Sequence, residues 1–129
     1  MLEASFRYEH ALSCFKWLHN ADPGWKKKGI NDGDITERAY APANAAEAAA
    51  VAALLVALYL NLARVYFKHG DGATSLLACS AALAVDADCD KALLLRAQVR
   101  VAPASAGAVE HEAALKDTAA AQKVRALPC

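Results

Sequence analysis

The stretch of the chain that most constrains its fold is residues 56–89. It contains two apolar runs at helical spacing, separated by a glycine-containing break at residues 69–72 and ended by an acidic segment at residues 86–88. The apolar side chains of these runs are Leu58, Leu62, Val65, Tyr66, Leu76, Cys79 and Leu83. Two short amphipathic helices joined by a glycine turn form an antiparallel helical hairpin. The sequence therefore predicts such a hairpin near the middle of the chain.

The composition of the chain extends this helical prediction to both sides of the hairpin. The chain has 129 residues, enough for one domain with a real core and too few for two. Alanine, the best helix former, occupies 33 positions, and no segment shows the alternation rich in Val, Ile and Thr that marks strands. We therefore expect an all-α domain of about five helices, without strands.

Charge and cysteine content narrow the class of function. The chain carries 14 basic and 14 acidic residues, a balance that argues against nucleic acid or an anionic membrane as the partner. The cysteines and histidines lack the paired spacings of metal sites, so we expect neither a metal nor a cofactor. No catalytic constellation is visible, and no signal peptide, so we expect a cytoplasmic protein that is not an enzyme. The four cysteines, expected to be reduced, are Cys14, Cys79, Cys89 and Cys129.

Boundary signals divide the chain into further elements. Asn44, followed three residues later by Glu47, has the spacing of a capping box, and Gly70 is suited to end the helix that begins there. Residues 20–42 form a long connection, which we expect to be irregular apart from a helical turn within residues 34–40. The expected helices are residues 2–19, 44–69, 71–85, 90–102 and 109–126.

The long helix admits two interpretations, because residues 48–63 are 16 consecutive residues without a charge. A membrane-spanning helix needs about 20 predominantly apolar residues. Many residues of this run are alanine and Asn61 lies within it, so we interpret it as a long buried helix and keep a transmembrane helix as the alternative. The expected core residues are Val51, Leu54, Leu55, Leu58, Leu62, Val65 and Tyr66 in this helix, and Leu115, Ala119 and Val124 in the last one.

The central hairpin also matches the spaced signature of a known repeat family. The matching residues are Tyr59, Leu62, Ala63, Tyr66, Gly70, Cys79 and Ala82. Ser75 stands where the signature usually has a small alanine, and Ala87 where it commonly has proline. On these residues the chain resembles the tetratricopeptide repeat (TPR) proteins, whose period is about 34 residues. The resemblance implies a right-handed α-solenoid of antiparallel helix hairpins.

The resemblance implies that residues 1–129 form a single TPR domain with an incomplete first repeat. Its parts are residues 1–20 (partial repeat 1), 21–42 (long loop), 43–89 (repeat 2 with an extended first helix) and 90–127 (repeat 3 with a longer turn). The long loop, the long helix and the string K-A-L-L-L-R-A-Q at residues 91–98 are similar to those of the large immunophilins, the cyclophilin- and FKBP-type prolyl isomerases. Co-chaperones with a J-domain carry similar repeats.

The resemblance to immunophilins implies that the domain binds chaperone tails. In such domains the inner helices hold an extended peptide ending in Glu-Glu-Val-Asp, the acidic C-terminal tail of cytosolic heat-shock chaperones of the Hsp90 and Hsp70 classes. Amide and cationic side chains bind its terminal carboxylates by charge-assisted hydrogen bonds. The positions of this chain that match the clamp or lie in its groove are Asn61, Lys91, Lys68 and Arg64. A larger immunophilin-like co-chaperone is expected, with any isomerase activity in a separate domain.

Departures from the clamp of this family lead to an alternative function. Leu95 stands where the partner of Lys91 is usually basic, and Arg96 is displaced from that position by one residue, about 100° around the helix. The first-repeat lysine and asparagine of the clamp would lie before Met1. The alternative is a TPR scaffold that binds an internal segment of a non-chaperone partner, with Leu95 adapted to an apolar ligand. We expect Arg96 and Arg100 to be surface charges.

Overall fold

The structure, a computed structural model, describes residues 2–126 and is mostly helical. Its helices are α1 (Leu2–Ser13), α2 (Trp25–Lys28), α3 (Ala45–Lys68), α4 (Gly72–Val85), α5 (Asp90–Val101) and α6 (Ala108–Ala126). Two short strands, β1 (Lys16–Asn20) and β2 (Ile35–Ala39), lie between α1 and α3. The prediction of a helical chain is therefore confirmed for most of its length, and the prediction that it has no strands is wrong.

Side-chain caps define the central hairpin, α3 and α4. Asn44 Oδ1 accepts a hydrogen bond from the backbone N–H of Glu47 at 2.9 Å, and a side-chain oxygen of Glu47 accepts one from the N–H of Ala43 at 3.0 Å. Asp71 caps α4 similarly, accepting the backbone N–H three residues further on at 3.0 Å. Between the two helices Gly70 has a φ of 81°, a conformation that glycine adopts without strain. The predicted cap and glycine stop are confirmed.

Neighbouring helices pack in chain order, α1 on α3, α3 on α4, α4 on α5 and α5 on α6. Two clusters of buried residues show how α3, α4 and α5 run. Their members are Leu60, Ala82 and Ala92 in the first cluster, and Ala63, Ala78 and Cys79 in the second. The second cluster lies further along α3 but earlier in α4, so these helices are antiparallel. Leu95 of α5 contacts both clusters, while Ala92 contacts only the first, so α5 runs parallel to α3.

The long helix α3 has 24 residues and is long and apolar enough to cross a membrane by length and composition alone. Its most apolar window has a mean hydropathy of 1.9, and 17% of that window is buried. The prediction of a long buried helix is therefore wrong for most of its length, because the buried residues of α3, which are Leu60, Leu62 and Ala63, all lie in its C-terminal half. Of its expected core residues, Leu62 is buried, Leu54 is exposed, and the half-buried ones are Val51, Leu55, Leu58, Val65 and Tyr66. One such helix, identified by length and composition alone, is weak evidence for a membrane span.

The side of α6 that faces the core also differs from the prediction. The residues it buries are Ala114, Asp117 and Ala121. Leu115, expected to face inward, is 70% exposed; Ala119 is exposed and Val124 is half-buried. An alanine-rich helix has little difference in hydrophobicity between its faces, so apolar spacing alone does not determine its orientation. In α6 the small side chains face α5 and allow the two helices to approach closely.

The connection between α1 and α3 is folded, not irregular. Strands β1 and β2 pair antiparallel, with Lys16 opposite Ala39 and Asn20 opposite Ile35. The loop between them holds α2 and a 3-10 turn at Asp32–Asp34. The first helix consequently ends at Ser13 and not at residue 19, and the helical turn expected in residues 34–40 is a strand. Each strand is five residues long, so the pairing of distant segments stabilises them and the local pattern gives little signal.

The buried thiol of Cys79 leads to a labelling prediction. Burial raises its pKa to about 11, whereas Cys14 is exposed; Cys129 lies outside the described residues. Because the thiolate is the reactive form, we expect iodoacetamide at neutral pH to modify native Cys14 and to spare Cys79 until urea unfolds the chain. Peptide mass spectrometry measures the labelling rates of both cysteines, and equal rates in the native protein would contradict the burial of Cys79.

The thiol of Cys79 also makes stability depend on pH. Since its folded pKa is above the unfolded value of 9.0, its contribution to the free energy of unfolding is present below pH 9 and is lost as the pH rises toward 11.

Candidate peptide-binding face

Three of the four predicted site residues lie on one face of α3. Asn61, Arg64 and Lys68 are separated by three and four positions, and this spacing places their side chains above one another on a helix. Asn61 is half-buried, and the two cationic residues are exposed. They lie in the C-terminal half of α3, which packs on α4 and α5 through the two buried clusters. The packing of these clusters therefore fixes the position of the helix segment that carries the three side chains.

Arg64 orients the amide group of Asn61. The Nη1 of Arg64 donates a hydrogen bond to Oδ1 of Asn61 at 3.2 Å. Because the oxygen of the amide is used as the acceptor, its nitrogen retains two N–H donors for other partners. The remaining N–H groups of the guanidinium lie beside them. Together they offer charge-assisted hydrogen bonds to a carboxylate, which accepts through two oxygens.

Lys91 lies on the neighbouring helix, as the second residue of α5. Its neighbour Ala92 packs in the same buried cluster as Leu60, which precedes Asn61. Lys91 and Asn61 therefore lie on helices that pack against each other. Within residues 2–126, no hydrogen bond or ion pair joins Lys91 to the three α3 residues. Lys68 is in the last turn of α3, where a cation interacts favourably with the helix dipole.

Leu95, expected from the sequence to stand beside Lys91 on the face, takes part in packing. It is half-buried and contacts both buried clusters between α3, α4 and α5. A cationic side chain there would lose part of its hydration against Leu60 and Ala63, at a cost in free energy. The α5 side of this face therefore combines one cation, Lys91, with an apolar side chain.

Helix α1 is attached to the same half of α3. The hydroxyl of Tyr66 donates a hydrogen bond to the carboxylate of Glu9. This bond raises the pKa of Tyr66 because the carboxylate accepts the phenol proton, and desolvation and the negative charge of Glu9 act in the same direction. Tyr66 follows Asn61 by five residues, about 140° around the helix, so the contact holds α1 on a different side of α3 from the candidate face.

A buried ion-pair network between α5 and α6 corrects the prediction for two arginines. Arg96 donates to both oxygens of Asp117, from Nη2 at 2.6 Å and from Nε at 2.9 Å, and Arg100 Nη1 donates to Asp117 at 2.7 Å. The side chain of Asp117 is 6% exposed. The prediction that Arg96 and Arg100 are surface charges is wrong, because both guanidinium groups are mostly buried against this carboxylate. The hydrogen bond to Asp117 raises the pKa of Arg96.

The sequence contains a signal for this network. Arg96 and Arg100 are four residues apart on α5 and therefore share a face. Asp117 is three residues after Ala114 and four before Ala121, so it lies on the alanine side of α6 that faces α5. A lone carboxylate on a buried helix face needs a cationic partner, and two arginines at this spacing on the preceding helix provide it. Arg96 thus has a structural role in the contact between α5 and α6.

Within residues 2–126, no group of three or more His, Cys, Asp or Glu side chains is arranged to hold a metal ion. No family model, no curated protein and no solved structure matches this chain. The function is therefore inferred from the side chains of the face formed by α3 and α5.

Proposed function

We propose that this chain is a protein-interaction module whose α3–α5 face binds an extended peptide through its terminal carboxylates. The observation that carries the proposal is the hydrogen bond from Arg64 to Asn61, which leaves the amide donors of Asn61 available beside exposed cations. Those cations are Arg64, Lys68 and Lys91. The proposed ligand is the Glu-Glu-Val-Asp tail of cytosolic heat-shock chaperones of the Hsp90 and Hsp70 classes, whose last residue carries two carboxylates.

We infer that the helices form a TPR-like α-solenoid with repeat 2 at residues 43–89 and repeat 3 at residues 90–127. The packing of each helix on the next and the parallel course of α3 and α5 support this architecture, because stacked hairpins bring equivalent helices side by side. In a solenoid the first helices of successive hairpins line one surface. An extended peptide lying across α3 and α5 then meets Asn61 and Lys91 together.

The proposed ligand implies a setting for the protein. We propose a cytoplasmic co-chaperone of immunophilin-like organisation, in which this chain provides binding and a separate domain carries any prolyl isomerase activity. The chain alone is proposed not to be an enzyme, since its described part contains helices and a two-stranded sheet and no constellation of acid, base and nucleophile. Isomerase activity measured in this chain alone would overturn that part of the proposal.

Substitution of Asn61 or Lys91 by alanine tests the face directly. With a Glu-Glu-Val-Asp peptide in isothermal titration calorimetry, we expect binding in the low to middle micromolar range. Each substitution is expected to weaken binding by about 1–3 kcal/mol, the usual loss for a hydrogen bond to a charged group. Arg64→Ala is expected to act in the same direction, because it removes both a cation and the group that orients Asn61.

Two controls distinguish a specific site from general charge attraction. Lys123→Ala removes an exposed lysine on the side of α6 opposite the buried Ala121, and is expected to leave the affinity unchanged. A peptide amidated at its C-terminus loses one carboxylate and is expected to bind less tightly to the unmodified chain. No heat with the free-acid peptide, or equal affinity of the Asn61 and Lys91 variants and the unmodified chain, would reject the site.

Leu95 favours a second candidate, a scaffold that binds an internal segment of a non-chaperone partner. Its half-buried side chain gives the α5 side of the face an apolar contact in place of a second cation. A partner of this kind stays bound in a pulldown after its own C-terminal residues are removed. A tail-binding domain loses its partner under the same treatment, so this experiment separates the two candidates.

A further inference from the structure

The hairpin arm, residues 16–40, is the part of the described chain that the helices cover least. Of the ten strand residues, all but Asn20 are exposed, so both faces of the two-stranded sheet meet solvent. Its main contact with the helices is to α1, and its base is closed by an edge-to-face contact of Phe15 with Tyr40, 6.0 Å between ring centroids. An isolated two-stranded hairpin is marginally stable in water. The arm is therefore expected to gain stability from another surface.

Large apolar side chains of the arm surround an open cleft of about 660 Å³. Trp25 of α2 lines it together with Leu18 of β1, Ile35 of β2 and Ile30 from the loop. Leu18 is 72% exposed and Ile30 is 66% exposed. Exposed apolar residues that are scattered singly need no explanation, but a contiguous group around a cleft marks an interaction surface.

The loop beside this cleft, residues 21–34, carries opposite charges in separate segments. Its three lysines lie in α2, and two of its three aspartates lie in the 3-10 turn Asp32–Asp34. Lys28 pairs with Asp22 at 3.7 Å, whereas Lys26, Lys27 and the turn aspartates have no ion-pair partner among the residues described. The loop thus has no net charge but contains one positive and one negative segment.

We propose that the hairpin arm is a dimerisation surface whose partner is a second copy of this chain. In a two-fold dimer the same patch faces itself, so α2 of one copy meets the 3-10 turn of the other, and the contact occurs twice. Opposite charges then pair while the two apolar clefts cover each other. A strongly acidic or strongly basic partner is repelled by one of the two segments, whereas a second arm complements both.

The two tryptophans of the chain allow the arm to be observed separately from the helices. Trp17 and Trp25 both lie in the arm, and the sequence contains no others. We expect sedimentation velocity to show a monomer–dimer equilibrium between about 1 μM and 1 mM, the range of weak to moderate association. Over the same range the tryptophan emission is expected to shift to shorter wavelength, because the dimer covers the cleft.

Charge reversal gives the sharper test, because two-fold complementarity makes a specific prediction for mixtures. An acidic-arm variant carries Lys26→Glu, Lys27→Glu and Lys28→Glu, and a basic-arm variant carries Asp32→Lys and Asp34→Lys. Each variant alone is expected to dimerise at least about tenfold more weakly than the unmodified chain, since like charges then face each other. An equimolar mixture is expected to form the heterodimer and to recover the emission shift.

The control carries charge reversals outside the arm, Lys116→Glu and Lys123→Glu on α6, and is expected to dimerise as the unmodified chain does. Circular dichroism of all variants checks that the helices are retained. The proposal is overturned if the chain stays monomeric up to about 1 mM, or if the acidic-arm variant dimerises without loss. A monomer whose emission shifts only on adding phosphatidylserine-containing vesicles would likewise overturn it, in favour of a membrane surface.

Discussion

Replacing Asp117 by alanine is expected to lower the free energy of unfolding by about 3–5 kcal/mol, because it removes one partner of a buried ion-pair network. The carboxylate accepts three hydrogen bonds, two from Arg96 and one from Arg100, and is almost fully buried. Without it, two mostly buried guanidinium groups lose their counter-charge and cannot recover full hydration. Urea unfolding followed by circular dichroism measures the loss, and the better helix propensity of alanine offsets less than about 1 kcal/mol of it.

The exposed ion pair on the same helix is the matched control for this prediction. The Nζ of Lys116 lies 3.0 Å from Oε1 of Glu112, and both side chains are largely exposed. Lys116→Ala is expected to change stability by less than about 1 kcal/mol, as exposed pairs on a helix surface do. A combined replacement of Arg96 by methionine and of Arg100 and Asp117 by leucine is expected to regain part of the loss, since apolar side chains tolerate the burial and no guanidinium group is left without a counter-charge. Equal effects of Asp117→Ala and Lys116→Ala would show that the network does not stabilise the fold.

Two leucine-to-alanine substitutions are expected to differ widely, although the apolar spacing assigned both leucines to the core. Leu62→Ala in α3 removes a side chain that is 7% exposed and is expected to cost about 2–5 kcal/mol. Leu115→Ala in α6 removes one that is mostly in solvent and is expected to cost less than about 0.5 kcal/mol. The change in helix propensity is the same in both, so the difference measures burial alone. Thermal or urea unfolding of the two variants provides the comparison.

Similar costs for these two leucines would contradict the orientation of α6. If Leu115 were covered in solution, its loss would approach that of Leu62, and the alanine side of α6 with Asp117 would then face solvent. The Asp117 and Leu115 predictions are therefore linked: one orientation of α6 predicts a large effect for Asp117 and a small one for Leu115. The opposite orientation reverses both.

The candidate face was predictable from the sequence where it depends on one helix. Asn61, Arg64 and Lys68 share a side of α3 because of the helical period, which needs no tertiary information. The position of Lys91 relative to these residues depends on how α5 packs against α3. The role of Leu95 as a packing residue depends on its contacts with both buried clusters. The hydrogen bond from Arg64 to Asn61 is local in sequence, but only the structure shows which amide atom it uses.

What the sequence by itself determined is the local order of the chain: the helical content, the cap at Asn44 and Glu47, and the hairpin turn at Gly70. These features depend on residues within one or two helical turns of each other, so the interactions that stabilise them can be predicted from a short window of sequence. Tertiary structure decided the rest. The arm strands pair segments about 15 residues apart or more, and Asp117 meets two arginines on another helix. The side of α6 that is buried was also decided there, because alanine on both faces of a helix leaves the choice to the neighbour that packs against it.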